Sequence, residues 1–495
     1  MEWGFWVWWV FTALLGGLVA VFLILKRAND WYHTSRLGEK QCSLPPGDMG
    51  WPLIGNMWSF LIAFKFGRPD SFLSNFITRF GPTGMYRAYM FGSPTIIVSA
   101  PEPCRKVLMD DEQFKSGWPK STFELMGRKS FLGISDEEHK RLRRLTAAPI
   151  SGQKALSIYH EYIKDVIATS LDEWAKAERP IEFLTEIRNI TFKIIMHIFL
   201  SCESGPMMDV MEEEYATLNH GLRAMAINLP GFAYHRALKA RRKLVKILQA
   251  VMDKRRAREN SNVSEEKTDM VDLLMEIEDE NGRKMDDEEI IDVMLMYLNA
   301  GHESSAHATM WAALFLHKHP EYFQKAKAEQ EEIVRRRPLM EKGLSFKEIK
   351  QMEYLSKVID ETLRVVNVSL FNYREAKTDV NICGYTIPKG WKVLIWYRGI
   401  HLDPEIYMNP KEFNPSRWDE HVPKRGTFIP FGMGSRLCPG SDLTKLEISV
   451  FLHYFLLYYK LEPLNPESGV RYLPHTRPKD NCLATIKKLL PSSST

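Results

Sequence analysis

The stretch Phe431-Gly-Met-Gly-Ser-Arg-Leu-Cys438-Pro-Gly440 decides how this chain is read. Gly432 and Gly434 free the backbone to bend tightly beneath a flat cofactor, and Pro439-Gly440 turns it at once into an apolar run beginning at Ser441. A cysteine just ahead of a helix start lies near free backbone N–H groups and the positive end of the helix dipole, and both favour its thiolate. A lone cysteine in a turn is more simply a buried structural residue. Here the whole pattern Phe-x-x-Gly-x-Arg-x-Cys-x-Gly is present, and it weighs against that simpler reading.

Working outward, the composition narrows the classes. The chain has 495 residues, 45% of them hydrophobic, with 27 prolines and 29 glycines, which suits a globular enzyme and excludes collagen-like or low-complexity material. A net charge of +4 from 66 basic and 62 acidic residues gives no global field, so nucleic acid is not expected as a partner. The remaining cysteines, Cys42, Cys104, Cys202, Cys383 and Cys482, form no C-x-x-C pair. Such spacing fits a body with free thiols facing a reducing compartment.

From Trp3 to Leu25 no residue is charged, and Lys26-Arg27 close the run. About 20 apolar residues suffice to span a bilayer, and basic residues stay on the cytosolic side. A signal peptide carries a shorter apolar region with its basic residues in front. Residues 1–27 are therefore expected to be a single membrane anchor, 28–56 a polar and proline-rich connector, and 57–495 the catalytic body. Leu44-Pro-Pro-Gly-Asp-Met-Gly-Trp-Pro-Leu-Ile-Gly-Asn56 excludes regular helix or strand.

Within the body, Gly84–Phe91 and Thr95–Ser99 flank Gly92-Ser-Pro94 as a hairpin. Helical periodicity runs from about Pro103 to Phe315, with breaks expected at Pro149, Gly205-Pro206, Pro230-Gly231 and Glu259–Lys267. Further helix is expected over Pro320–Arg335, Ser345–Leu363 and Ser441–Tyr459. Strand-like material lies at Val380–Ile387 and Trp391–Trp396. The fold class is mainly α with a small β region.

Three other constellations stand out. Glu361-Thr-Leu-Arg364 places an acid and a base on one helical face, in reach of Arg417. Ala300-Gly-His-Glu-Ser-Ser305 puts a glycine inside an apolar helix, at a cost of about 1 kcal/mol against alanine that some close packing must offset. His139 and Arg143, four apart on a helix, can face one anion together.

Together these motifs resemble the cytochrome P450 family, and the resemblance runs from anchor to C-terminus. It implies the haem-thiolate fold behind a single transmembrane helix. It also implies haem b as cofactor, with Cys438 as axial ligand and Phe431 packed on the ligand loop. Arg436, Arg143, His139 and Arg374 become candidates to hold the haem propionates; histidine stands at 139 where the family commonly has tryptophan. Glu361, Arg364 and Arg417 correspond to the structural triad. Glu303 and Ser304 correspond to the acid and alcohol that deliver protons, with serine replacing the commoner threonine but keeping a hydroxyl that can donate. The basic face Lys140, Arg141 and Arg144 is expected to dock an acidic reductase domain.

Gly221–His235, Met296–Ser305 and Tyr472–Pro478 further resemble plant ent-kaurenoic acid oxidases and their terpenoid-oxidising relatives. That likeness implies oxidation of a polycyclic terpenoid with O2 and electrons from NADPH through NADPH-cytochrome P450 reductase. The enzyme would sit in the endoplasmic reticulum membrane with its body in the cytosol, in contact with lipid. Phe123, Ala300, Phe371 and Asn372 are candidate substrate contacts. Phe371-Asn-Tyr373 is bulkier and more polar than expected of a kaurenoic acid oxidase, and Met433 replaces a smaller residue, so relocated specificity toward a triterpenoid of limonoid type is the alternative. A catalytically silent haem protein that binds a hydrophobic ligand is a more remote one.

Overall fold

A computed structural model describes residues 2–222, 224–259, 269–338, 340, 343–420, 422–473 and 475–489. The chain divides into two compact units, residues 1–117 with 371–400, and residues 118–370 with 401–495.

In the first unit the apolar N-terminal run forms a helix over Glu2–Thr34, long and apolar enough to cross a membrane. It extends seven residues past the expected end of the anchor at 27, because its last turns find partners. Buried Asn29 donates to the Met49 carbonyl at 3.2 Å, and Asp30 pairs with Arg87 at 3.4 Å. Ser35–Ser43 continues as a 3-10 helix kinked at Gly38, and the proline-rich stretch after it forms only isolated bridges, Gly47 with Arg87 and Trp51 with Gly55.

The sheet of this unit begins with the expected hairpin, Met85–Met90 antiparallel to Ser93–Val98, but the turn is Phe91-Gly92 alone, and Ser93 and Pro94, expected in the turn, pair with Met90 and Tyr89. Lys392–Trp396 joins it in parallel, followed by Phe371–Ala376 and Phe114–Ser116, both antiparallel. Phe114–Ser116 lies where helical periodicity was expected to run on. Three residues have little intrinsic preference, and pairing Phe114 with Ala376, far away in sequence, decides their conformation. One face of this sheet carries packed aromatics, among them Phe60, Phe72, Phe371 and Trp396.

The second unit is mainly helical. Asp287–Lys318 is its longest helix, opened by a capping box in which Asp286 accepts from the Glu289 N–H at 2.8 Å and Glu289 from the Asp286 N–H at 2.9 Å. Phe183–Leu200, Glu353–Val366 and Ser441–Tyr458 pack against it around one apolar core. Three expectations need correction. The helix Asp136–Ser151 passes through Pro149 and stops two residues later, since a proline in the last turn forfeits little. Ile181–Glu182 is a short strand, paired with Leu483 and Ala484. Ser345–Leu363 is not continuous: Phe346–Ile349 ends, and Glu353–Val366 begins where the Glu329 carboxylate accepts from the N–H groups of Tyr354 and Leu355 at 2.6 and 3.0 Å. The expected break at 259–267 falls largely outside the described residues.

Glu361 and Arg364 are fully buried and joined by two bonds of 2.8 and 2.7 Å. Arg364 also donates to the carbonyls of His401, Pro410 and Glu412 at 2.8, 2.7 and 3.1 Å. Glu361 accepts from the Asn414 N–H at 3.0 Å and from Arg417 at 3.3 Å. Removing one member leaves a buried charge without its counterion, at a cost of about 3–5 kcal/mol. Glu361→Ala is therefore expected to lower the free energy of unfolding by roughly that amount. Chemical denaturation measures it, and a loss under about 1 kcal/mol, the range of exposed pairs, would show the pair to be peripheral.

Candidate active site

The cysteine loop takes its shape from two glycines. Gly432 and Gly434 sit at φ of 79° and 77°, conformations that strain any residue with a Cβ. The loop then closes on itself through the Cys438 N–H, which donates to the Phe431 carbonyl at 2.9 Å. Phe431 packs on the core, Gly434–Arg436 forms one 3-10 turn, and Ser441–Tyr458 begins directly after Gly440. Burial pushes the Cys438 thiol up, and the Gly440 N–H and the Arg143 guanidinium oppose that shift. Both opposing groups favour thiolate and would hold it once a cation takes the sulfur.

Phe431 to Gly440 are all partly open except the more exposed Leu437, although they lie between buried Ile429 and buried Leu443. The long helix shows the same interruption: Ala300 is exposed, and Asn299, Gly301, Glu303 and Ser304 are half-buried, in a helix otherwise packed on the core. A soft sulfur donor on a loop free of bulky shielding, with partly open surface on the cysteine loop and on this helix turn, fits an iron porphyrin. The Arg436 Nε is buried without a hydrogen-bond partner, while its other nitrogens donate to the Phe131 carbonyl at 3.1 Å and to Asp136 at 2.8 Å. His139 is buried, edge-on to Phe131 with ring centroids 5.5 Å apart.

The glycine of the long helix has a packing reason. A Cβ at Gly301 would meet the Ile195 side chain at 3.1 Å, so this position lets the helix approach Phe183–Leu200. The Ser304 hydroxyl donates to the Ala300 carbonyl at 2.8 Å, and Glu303 faces Arg188 at 3.4 Å. Phe123 is half-buried in the helix Lys120–Met126. Phe371, Asn372 and Arg374 belong to the first unit. There Phe371 packs among aromatics, Asn372 accepts from the Tyr373 N–H at 2.7 Å, and Arg374 is buried and paired with Asp111 at 2.7 Å.

One part of the expected docking face is corrected. Arg141 is buried, held by Asp279 at 2.7 Å, Glu289 at 3.0 Å, Glu138 at 3.2 Å and the Lys284 carbonyl at 3.2 Å. It ties helix Asp136–Ser151 to the start of the long helix and is not available to a partner. Lys140 and Arg144 are exposed, Arg144 in a pair with Glu280.

The sequence reading missed several polar residues around the long helix. Asp292 is buried, accepting from Arg241 at 2.5 Å and from the Lys129 N–H at 3.0 Å; burial raises its pKa against both partners. Glu447, set between Leu446 and Ile448 in the last helix, is buried with neither oxygen in a well-formed hydrogen bond. An acid inside an apolar helical run was the available signal. Burial pushes Glu447 up to about 8, with Ser305 opposing the shift.

The folded state thus binds a proton at Glu447 that the unfolded chain releases near its ordinary value of 4.5. Stability from this group is full below that value and is lost as pH rises through about 8, at up to about 1.4 kcal/mol per unit. Glu447→Gln, neutral throughout, is expected to flatten the pH dependence of unfolding over this window and to gain on the parent at its upper end. Denaturant titrations at both ends check this, and parallel curves would contradict it.

Residues 45–478 match the family model for cytochrome P450. Ent-kaurenoic acid oxidase 2 of Arabidopsis thaliana is 59% identical, covering 97% of this chain and 98% of its own length. A 7,8-epoxymelianol synthase of Ailanthus altissima is 56% identical, covering 98% of this chain and 97% of its own. The solved structure of a retinoic acid-bound cyanobacterial CYP120A1 superposes with a TM-score of 0.79 at 25% identity, over 90% of this chain and 99% of that one. The chain belongs to the cytochrome P450 family as a haem-thiolate monooxygenase homologous to ent-kaurenoic acid oxidases and to triterpenoid-oxidising relatives.

Proposed function

We propose that this monooxygenase oxidises a polycyclic terpenoid at the endoplasmic reticulum membrane, with electrons from NADPH delivered by NADPH-cytochrome P450 reductase. The observation that carries the chemistry is Cys438, set on a positive-φ glycine loop with the Gly440 N–H and Arg143 beside its sulfur. Bound there, the haem supplies oxygen activation, and thiolate donation favours O–O cleavage. This chain's residues do the rest. Glu303 holds a proton near the helix turn where Ser304 presents its hydroxyl, and Ser304 passes it on when it leaves the Ala300 carbonyl. Arg143 and Arg436, both cationic, steady the negative charge around the cofactor, and Phe431 holds the loop. Lys140 and Arg144 receive the acidic face of the reductase.

Phe123 and Ala300 are proposed to contact the substrate, both leaving apolar surface open in the helical unit. Phe371 and Asn372 keep a specificity role as single positions in the first unit. That unit also supports membrane contact: Trp31 near the end of the N-terminal helix, and Leu53, Trp58 and Phe66 in the residues that follow it, are 62 to 89% exposed, too much apolar surface for water alone.

The substrate reading favours a diterpenoid acid, as in the relatives named ent-kaurenoic acid oxidase. A second reading, a triterpenoid, is favoured by the relatives named 7,8-epoxymelianol synthase. Microsomes containing the protein and the reductase are expected to oxidise ent-kaurenoic acid. Product from tirucallane-type triterpenes alone would move the assignment to the second reading, and none from either would reject both. The reduced, carbon monoxide-bound protein is expected to show the thiolate-type Soret band and to lose it in Cys438→Ala; a band that persists would remove Cys438 as the ligand.

A further inference from the structure

Glu447 sits where the two stretches that bear the candidate chemistry meet. It belongs to Ser441–Tyr458, the helix that follows the cysteine loop directly, and six residues of helix, about 9 Å of axis, separate it from Ser441. That helix packs on the long one, and the hydroxyls of Thr444 and Ser305 lie 3.3 Å apart across the contact. Ser305 is the chain neighbour of Ser304. Glu447 itself is 2% exposed, and the Ser305 hydroxyl acts on it while donating its own hydrogen to the Gly301 carbonyl at 2.9 Å.

The charges on this helix and on the elements packed against it are taken up by other partners. Lys445 pairs with Asp360 at 2.8 Å, Arg364 with Glu361, Arg337 with Glu348 at 2.8 Å, Lys488 with Asp172 at 2.6 Å and Lys487 with Glu462 at 2.7 Å, while Arg143 acts on Cys438. His453 meets Gln330 at 2.8 Å, and burial lowers its pKa to about 4, so its ring is neutral at working pH. What sets the protonation of Glu447 is burial, which raises its pKa to about 8, against the Ser305 hydroxyl. Once ionised, Glu447 is a buried negative charge whose only named partner is that hydroxyl.

A buried anion and an added electron repel each other strongly where little water screens them. Linkage makes the effect mutual, since whatever reduction does to the carboxyl, the carboxyl does to reduction. We propose that Glu447 couples reduction of the haem bound at Cys438 to the uptake of one proton. One electron from the reductase goes to the iron, and one proton from water goes to the carboxylate, whose oxygen supplies the electron pair of the new O–H bond. The Ser305 hydroxyl turns from Gly301, gives its hydrogen to Glu447 and takes that of Thr444, whose half-buried hydroxyl is replenished by water. Each hydroxyl ends as it began. Reoxidation sends the proton back along the same route, so the cycle closes at every turnover. The coupling rests on the reading of Cys438 as the haem ligand, and it makes Glu447 a residue that acts through the potential of the cofactor without touching substrate.

The full-chain holoenzyme, free of substrate, is titrated in an electrochemical cell at a series of pH values on both sides of 8. The midpoint potential of the parent is expected to fall as pH rises through that value. Glu447→Gln, neutral throughout, should remove at least a threefold change in the electron-transfer equilibrium constant, about 28 mV for one electron. Ser305→Ala keeps the acid but removes the hydroxyl that opposes its protonation, so it should move the fall to higher pH, and it carries the test if the glutamine variant takes up no haem. Redox-difference infrared reads the acid itself: a protonated carboxyl band should appear on reduction of the parent and be missing in Glu447→Gln. Parallel potentials in parent and Glu447→Gln, a window unmoved in Ser305→Ala, or no carboxyl band on reduction would each overturn the coupling. Failure of the haem reading is seen separately, as a missing thiolate-type Soret band before any titration begins.

Discussion

The buried pair of Glu361 and Arg364 is the constraint on which the helical unit is built. An ion pair without water is a poor source of net stability, since desolvation of both charges offsets their attraction. What it supplies is address. Arg364 binds three carbonyls, of His401, Pro410 and Glu412, and Glu361 binds one N–H and Arg417, so the segment from 401 to 417 has one arrangement that leaves no charge unmatched. His401 carries this order onward. Burial beside Arg364 lowers its pKa to about 3, and the neutral ring accepts from the Ile429 N–H at 3.0 Å and meets Asn367 at 2.6 Å. The Ile429 carbonyl then receives the Gly432 N–H at 3.0 Å, at the first bend of the cysteine loop. A continuous line of hydrogen bonds thus leads from one acid on a helix to the cysteine loop.

Much of this was legible in the sequence where local chemistry is decisive. The apolar N-terminal helix, the hairpin around Gly92 and the glycine pattern around Cys438 each need only nearby residues to be understood. The relation of Glu361 to Arg364 was equally plain from spacing. What spacing could not show was burial: the same separation usually marks an exposed pair, and only packing separates the cases. Arg141 failed for that reason. It looked like part of a basic face, yet it points inward to three carboxylates contributed by residues that follow it by as many as 148 positions or precede it by 3. Phe114–Ser116 and Ile181–Glu182 failed because their strand character is conferred by partners distant in sequence.

The candidate site divides along similar lines. Cys438, Glu303 and Ser304 were visible as motif members. Arg188 and Glu447 were not, since neither belongs to a local pattern that includes the residue it meets. Polar groups in an apolar helical run are costly unless paired, which makes each of them informative once the structure is in view.

The interrupted burial of the long helix also bears on how this protein can change over generations. Its N-terminal capping box and its tightly packed residues from Ala306 to Leu316 anchor the helix at either side of the open turn. Large-to-small changes in the packed part would cost about 2–5 kcal/mol, a large share of any domain's margin. Changes at Ala300 or Ser304 remove little packing, and so leave that margin nearly untouched. Tolerance of change and dependence on packing thus fall on different stretches of one helix. A lineage can vary the open turn by drift while the scaffold stays above its threshold for folding.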